Sequence, residues 1–290
     1  MGATHQIGSG RLKATVAAHG AELISLRDGG GELLWQAGPE WPRHAPVLFP
    51  IVGRLSGDAL RVGGETFRLT QHGFARDQEF LWTERGEDRA LLSLTDNVAT
   101  RALYPFAFRL ELDYRVEGDA LSVTARVSNP GGDVLPFCVG AHPGFRWPLV
   151  DDVAKEDHAL EFEAHEPGPA RSVEGGLLGP DKPLPFDGRT LALTPELFSN
   201  DALVMPDVKS RSVRYSALRD GEAVRTLTVS WRGYDDLGVW SAPLGAPFLC
   251  IEPWRGMASS VGWDGPFMDK PGVVRLEPGA TMEFEWRVEV

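Results

Sequence analysis

Cysteine, basic charge and long apolar runs are all scarce in this chain of 290 residues. The two cysteines, Cys138 and Cys250, are too few for a secreted disulfide framework, so we expect reduced thiols and a cytoplasmic protein. The 29 basic and 41 acidic side chains give a net charge of −12, which disfavours nucleic acid and anionic membranes as partners. No apolar run approaches the ~18–20 residues that span a bilayer. These features leave a globular protein whose partner is a small molecule, and they say nothing about its oligomeric state.

Helical periodicity is also scarce, whereas period-2 alternation is common. Apolar and polar residues alternate over 108–116, 121–128, 226–231 and 282–290, and 33 glycines and 22 prolines punctuate the chain. Strands joined by tight turns without intervening helices are typical of antiparallel sheets packed face to face. We therefore predict an all-β fold, a large antiparallel β-sandwich forming a single domain over residues 1–290. The Gly- and Pro-rich segment 167–185 is expected to be a long surface loop.

Three proton-transferring side chains stand where predicted strands break into turns. They are His72 before Gly73, His142 before Pro143, and Glu252 at the end of an apolar run. Imidazole and carboxylate are the groups that move protons near neutral pH, and a carboxylate at a buried strand has a raised pKa or a partner. We predict that Glu252, His142 and His72 meet in one site. Each also has a structural alternative, namely an ion pair for the glutamate and a carbonyl-bonded core position for each histidine.

Other residues near these motifs have candidate roles. Arg54 follows an apolar run and could bind ligand hydroxyls with its planar guanidinium, or it could be an ordinary surface arginine. Four tryptophans lie near the motifs, and their faces could pack on the C–H faces of a sugar or simply belong to the core: Trp35, Trp41, Trp240 and Trp254. Arg76 and Asp77 are interpreted as a local structural pair. Period-2 alternation places Cys250 on the same side of its strand as Glu252.

Several familiar chemistries leave no signature. The sequence has no Gly-x-Ser-x-Gly elbow, no P-loop and no Gly-x-Gly-x-x-Gly phrase after a strand. No histidine pair at i and i+4 encloses a glutamate, so a zinc-hydrolase motif is not visible, although His72 and His142 could meet in space as ligands. We therefore expect neither a metal nor a cofactor.

The motifs, taken in order over about residues 20 to 260, resemble the aldose 1-epimerase (galactose mutarotase-like) family, and in particular its shorter, LacX-like branch. The phrases that carry the resemblance are 34–36 (LWQ), 46–55 (PVLFPIVGRL), 71–77 (QHGFARD), 140–145 (GAHPGF), 201–203 (DAL), 237–241 (LGVWS) and 250–254 (CIEPW).

The resemblance implies a large twisted β-sandwich, or supersandwich, with an open cleft across one sheet. It implies that Glu252 is the general base, His142 the general acid and His72 a second histidine near the sugar ring oxygen. Arg54 falls on a sugar-binding arginine, and Asp201 on an aspartate that holds sugar hydroxyls. The implied activity is cofactor-independent interconversion of the α and β anomers of an aldohexose or related sugar.

This chain departs from the better-studied branch of the family at two motifs. Gly140-Ala141-His142-Pro143 stands in place of an Asn-His pair, and His72-Gly73-Phe74 in place of His-Gly-Gly. The sequence therefore does not name the sugar or say whether it is phosphorylated. Two alternatives remain. One is a non-catalytic sugar-binding or sensing protein on the same fold. The other is a glycoside hydrolase, in which Glu252 would need a second carboxylate such as Asp201 or Glu79.

Overall fold

The computed structural model describes residues 3–243 and 245–290, and this part of the chain is almost entirely β-structure. The strands are β1 Thr4–Ser9, β2 Leu12–Ala17, β3 Leu23–Asp28, β4 Gly31–Glu32, β5 Val47–Leu48, β6 Ala59–Val62, β7 Glu65–Arg68, β8 Leu81–Arg85, β9 Arg89–Thr95, β10 Arg109–Glu117, β11 Ala120–Ser128, β12 Leu135–Phe137, β13 Val139–Ala141, β14 Gly144–Arg146, β15 His158–Phe162, β16 Ala170–Glu174, β17 Leu177–Lys182, β18 Thr190–Ala192, β19 Leu203–Met205, β20 Ser212–Arg219, β21 Glu222–Arg232, β22 Asp236–Trp240, β23 Phe248–Arg255, β24 Val274–Leu276 and β25 Thr281–Glu289. The helices are α1 Val98–Arg101 and the short 3-10 turns Ser56–Asp58, Ala75–Asp77, Lys155–Asp157, Pro195–Phe198 and Phe267–Asp269. Among the described residues, no helix is long and apolar enough to cross a bilayer.

Two large antiparallel sheets dominate the fold. One has nine strands in the order β18-β15-β20-β21-β25-β11-β10-β9-β8. The other has eight, in the order β17-β16-β19-β22-β23-β13-β5 with β14 also paired to β23, and we call it the cleft sheet. Inward-facing side chains of both sheets join one apolar core, for example Tyr114 and Val123 of the nine-stranded sheet with Phe145 and Ile251 of the cleft sheet. The predicted all-β sandwich is confirmed.

The hairpin β10–β11 shows how the alternating pattern builds the nine-stranded sheet. Leu112 and Tyr114 face the core as predicted, and Gly118-Asp119 makes the turn between the strands. Asp113 differs from the expectation of a wet outer face, because it is only 2% exposed. The guanidinium groups of Arg89 and Arg126 cover it, with nitrogen–oxygen contacts of 2.8 to 3.0 Å. A buried carboxylate is tolerated here because it is fully paired.

The segment 167–185, predicted as a long surface loop, is largely a β-hairpin, so that prediction is wrong. β16 and β17 pair antiparallel, and Arg171 of β16 pairs with Val204 of β19 at the edge of the cleft sheet. The turn Gly175-Gly176 has positive φ at both residues, which glycine adopts without steric cost. Tertiary pairing at a sheet edge outweighs the local Gly and Pro content, and the hairpin forms one wall of the cleft.

Candidate active site

Glu252 lies at the centre of the cleft sheet, on β23. This strand is buried along Phe248 to Trp254, as a near-continuous apolar run predicts for a strand covered on both faces. Glu252 pairs in register with Gly238 of β22, while β13 and β14 flank β23 on its other side. The Glu252 carboxylate is 2% exposed and faces the cleft. The strand pairing on both sides therefore holds the Glu252 carboxyl group in a rigid position with little access to water.

His142 meets Glu252 directly. It follows β13, and the next residue, Pro143, accepts a hydrogen bond from the Ile251 backbone N–H on β23. His142 Nε2 lies 3.2 Å from Glu252 Oε2. The indole of Trp41 stacks on the imidazole, with ring centroids 4.9 Å apart and planes inclined by 26°. The predicted base and acid, 110 residues apart in the chain, thus form one buried pair in close contact.

Burial moves the proton affinities of this pair in opposite directions. Desolvation raises the pKa of Glu252 well above its usual value; the nearby Asp201 charge adds to this rise, and the Trp254 side chain acts against it. Desolvation lowers the pKa of His142 to about 3, and the positive charges of Arg76 and Arg43 contribute to the decrease. Both shifts favour neutral groups in a dry site. A protonated carboxyl group and a neutral imidazole are therefore the favoured forms of the two groups in this site.

His72 is brought to the same place by a strained turn. Its φ is +67°, and the φ of Gly73 is +69°. A Cβ at Gly73 would lie 2.3 Å from the Phe49 carbonyl oxygen, so only glycine fits there. The Gly53 backbone N–H donates to His72 Nδ1 at 3.1 Å, which leaves the ring proton on Nε2. Burial, with the neighbouring His142, Arg76 and Arg43, holds the pKa of His72 well below its usual range, so this imidazole is a neutral donor.

A cleft of about 320 Å³ opens above these three side chains. One side is polar, and the other is an apolar wall built from the β16–β17 hairpin and its neighbours. The lining residues are Trp41, Gly53, Gln71, His72, Arg76, His142, Val173, Gly176, Leu178, Asp201, Ala202, Val204, Trp240, Glu252, Trp254 and Ala258. Ligand pockets range over roughly 300–1,000 Å³, so the volume suits a small molecule.

The structure places the other predicted site residues in two groups. Asp201 and Trp240 line the cleft. Arg54 and Trp35 are not among its described lining residues. The Arg54 guanidinium is bound instead to Asp58, with Nε to Oδ1 at 2.7 Å. Trp35 lies behind the wall, where its indole N–H donates to the Trp41 carbonyl at 2.7 Å. A sugar-binding role for Arg54 or Trp35 stays a prediction that would need movement or an indirect contact.

Sequence reasoning missed the place of Arg76 in the cleft and the contact of Trp41 with His142. Arg76, interpreted as structural, lines the cleft; its Nη2 donates to the Gln71 carbonyl at 2.7 Å, and its charge lowers the pKa of both histidines. Arg76 is four residues after His72 in the same motif, and this proximity could have indicated that it lies in the site. Trp41 packs on His142 from a loop far away in the chain, and no local pattern indicates that contact.

The Trp254 ring packs tightly against glycines of the two strands that flank β23. A Cβ at Gly238 would lie 2.4 Å from the Trp254 ring, and a Cβ at Gly140 would lie 2.6 Å from it. We expect Gly238→Ala to lower the free energy of unfolding by about 1–3 kcal/mol, because it overpacks a rigid strand. Urea unfolding followed by tryptophan fluorescence measures the change.

Gly132→Ala is the matched control for this prediction. A Cβ at Gly132 meets no atom within 4 Å, and its φ is not in the left-handed region. The control should change the free energy of unfolding by no more than about 0.5 kcal/mol. Equal effects of the two substitutions would contradict the packing argument for Trp254.

The chain is similar to known proteins both in sequence and in fold. The chain is 34% identical over 283 residues to Protein LacX (plasmid) of Lactococcus lactis subsp. lactis, covering 93% of this chain and 94% of that protein. It superposes with a TM-score of 0.91 on the galactose mutarotase related enzyme from Lactobacillus acidophilus, at 32% identity over 99% of this chain and 97% of that one. A galactose mutarotase-like protein from Lactobacillus casei gives a TM-score of 0.90 at 28% identity, covering 99% of each chain.

The fold and its cleft therefore define a galactose mutarotase-like β-sandwich. A family model described as aldose 1-epimerase matches residues 4–262. The chain belongs to the aldose 1-epimerase family, which confirms the resemblance seen in the sequence. Membership supports an isomerase-type enzyme that acts on sugars.

Proposed function

We propose that this protein is an aldose 1-epimerase that interconverts the α and β anomers of a free monosaccharide. The observation that carries the proposal is the buried contact of 3.2 Å between His142 Nε2 and Glu252 Oε2, at the floor of a cleft of monosaccharide size. Ring opening requires one proton to leave the C1 hydroxyl and one to reach the ring oxygen. A carboxylate and an imidazolium held side by side on rigid strands supply both transfers.

A proton that moves from one member of the pair to the other makes the pair reactive without a net change of charge. When the proton moves from Glu252 to His142 along their contact, the carboxylate becomes a base and the imidazolium an acid. Because burial and the nearby Arg76 charge disfavour the imidazolium, it is a strong acid toward the weakly basic ring oxygen. The carboxylate takes the C1 hydroxyl proton, the C1–O5 bond breaks, and the imidazolium protonates O5. Rotation about C1–C2 and the reverse steps give the other anomer.

Neighbouring groups position the sugar for this exchange. The neutral His72 lines the polar side of the cleft beside the Gln71 amide, whose nitrogen lies 3.3 Å from His72 Nε2, and these two side chains can bind a sugar oxygen together. Asp201 at the cleft mouth can accept from sugar hydroxyls, since its free Oδ2 remains after Oδ1 accepts the Ala202 N–H at 2.8 Å. Trp240 and Trp254 offer aromatic faces to the C–H groups of the ring. The cleft therefore suits a ligand that is a polyhydroxylated ring with one apolar face.

NMR exchange spectroscopy between the anomers of a panel of aldoses tests the proposal. We expect at least one sugar to exchange faster in proportion to enzyme concentration. Sugar binding without faster exchange would favour a non-catalytic sensor, and release of free sugar from a glycoside would favour a hydrolase. For the hydrolase, Asp201 is the second carboxylate in the lining, whereas Glu79 pairs with His19 at an exposed surface site.

The rate should follow a bell-shaped pH profile, because only the pair with one proton is active. Below pH about 3, His142 gains a second proton while Glu252 keeps the first, and activity falls. On the alkaline side the pair loses its last proton as pH passes the raised pKa of Glu252, well above the usual carboxyl range. Initial rates of anomer exchange, corrected for the uncatalysed reaction at each pH, measure both limbs. Activity that rises with pH through 4.5 would contradict this assignment.

Asp201→Asn should move the alkaline limb to lower pH. The negative charge of Asp201 raises the pKa of Glu252, so removing it makes the carboxyl group lose its proton more easily. The acid limb should not change. The same pH series on the variant measures the shift, and Asp58→Asn, at the Arg54 pair, serves as a carboxylate control. An alkaline limb in Asp201→Asn identical to that of the unaltered protein would show that this charge does not act on Glu252.

A further inference from the structure

The pair at the cleft floor has a third neighbour that the proposed reaction does not use. Cys250 is two residues before Glu252 on β23, and its side chain lies on the same side of the strand, as predicted. The Cys250 thiol, a Glu252 oxygen and a His142 ring nitrogen all lie within 4.8 Å of one another, and all three residues are buried. A thiol and a carboxyl group on β23 and an imidazole in the turn after β13 form a ligand set, rather than a lone cysteine.

We propose that His142, Cys250 and Glu252 bind one zinc ion from the cleft, and that this ion shuts off the epimerase reaction. Zinc bonds of about 2.0–2.3 Å place ligand atoms roughly 3.3–3.6 Å apart in a tetrahedron, so side-chain shifts of about 1 Å close the site. Three protein ligands leave the fourth position to a water molecule on the cleft side. The mixed sulfur, nitrogen and oxygen set suits zinc, whereas magnesium and calcium take oxygen ligands.

The balance of charge in this buried site favours the replacement of two protons by one zinc ion. When the thiol and the carboxyl group are protonated and the imidazole is neutral, the three groups carry no net charge. Zinc binding releases both protons to solvent and leaves a carboxylate, a thiolate, a neutral imidazole and a doubly charged cation, again with zero net charge. A buried site thus gains no uncompensated charge, which would otherwise be costly.

The surroundings support a bound ion. Cys250 packs in an apolar cluster with Phe248 and the indoles of Trp35, Trp41 and Trp240, so water reaches the sulfur poorly. Such a shell strengthens electrostatic bonds to a metal. Glu252 and His142 line the cleft in front of the thiol, so an ion entering from solvent meets them first. The inhibitory effect rests on the proposed function, because zinc would occupy the lone pairs that the proton transfers need.

Calorimetric titration of chelator-treated protein with zinc chloride tests binding without any turnover. We expect one ion per chain, and no comparable binding of magnesium or calcium. Loss of an outer-shell partner alone costs about 10–100-fold in metal affinity, so Cys250→Ala should weaken binding by about a hundredfold or more. Cys138→Ala is the matched control, since Cys138 is equally buried but lies outside the ligand set. Equal affinities of the two variants, or none in the unaltered protein, would overturn the proposal.

Cobalt gives a readout that does not depend on the folding of a variant. Cobalt bound to the unaltered protein should show thiolate-to-metal charge-transfer absorption in the near ultraviolet, and its absence would refute a thiolate ligand. In parallel, zinc should stop anomer exchange and a chelator should restore it, with each variant compared to its own zinc-free rate. Zinc binding by a protein that exchanges no anomers would refute the proposed function and leave the metal site standing. Binding at the three ligands without inhibition would refute the regulatory part.

Discussion

Glu252→Gln should reduce anomer exchange by about 10²–10⁴-fold, the typical contribution of a positioned general base. The amide has the shape of the carboxyl group and fits beside His142, but it neither accepts the C1 hydroxyl proton nor supplies one to the imidazole. Sugar affinity should change little, because the cleft wall and the other polar groups are intact. NMR exchange at saturating sugar measures the rate, and calorimetry measures the affinity.

The surface offers a matched control for this variant. His19 and Glu79 form a second histidine–glutamate contact of 3.1 Å, close to the 3.2 Å of the buried pair, but both side chains are more than half exposed. Glu79→Gln should leave anomer exchange unchanged. If Glu252→Gln retained the native rate, Glu252 would not be the base. If the variant lost both activity and sugar affinity, the main role of Glu252 would be to bind the sugar.

His142→Gln should lower the rate by a similar factor of about 10²–10⁴. Without the imidazole no acid reaches the ring oxygen, and the proton stays on Glu252, whose pKa burial already raises. The loss should fall on kcat rather than KM, because the interaction is made mainly as the ring opens. Anomer exchange over a range of sugar concentrations separates the two constants.

His19→Gln, at the exposed pair, is the control for the histidine variant. It should leave kcat and KM unchanged. A His142→Gln variant with native kcat and a raised KM would show that His142 only binds the sugar. The acid would then have to be another group, and His72 is the remaining imidazole in the lining.

The sequence was sufficient to single out Glu252, His142 and His72, which line one cleft, because their signals are local. A buried glutamate at the end of an apolar run, and histidines beside glycine or proline at strand ends, are visible in single phrases. The same holds for the β10–β11 hairpin, whose alternation and Gly118 turn need no tertiary information. The hairpin agrees with its local pattern, but Glu252, predicted where a strand breaks into a turn, lies inside β23, which continues through Pro253 to Arg255 because β22 pairs with it along this length.

The parts that were missed depend on contacts between distant segments. The β16–β17 hairpin has the composition of a loop, and its pairing at the sheet edge decides its structure. Trp41 reaches His142 across a gap of about a hundred residues, and Trp35 supports Trp41 rather than the ligand. Arg54 illustrates the reverse case, because a partner four residues away, Asp58, binds the guanidinium that the motif assigns to a sugar. The fold determines side-chain partners of this kind, and the local sequence around a residue does not reveal them.

The claim on which the account depends is that Glu252 and His142 act as one unit through a shared proton. The kinetics of the double variant His142→Gln/Glu252→Gln, compared with each single variant, test it most directly. Without Glu252 the imidazole is uncharged, and without His142 the carboxyl group stays protonated, so either loss disables both groups. The double variant should therefore exchange anomers no more slowly than the slower single variant. Losses that multiply in the double variant would contradict the account and show two groups working independently.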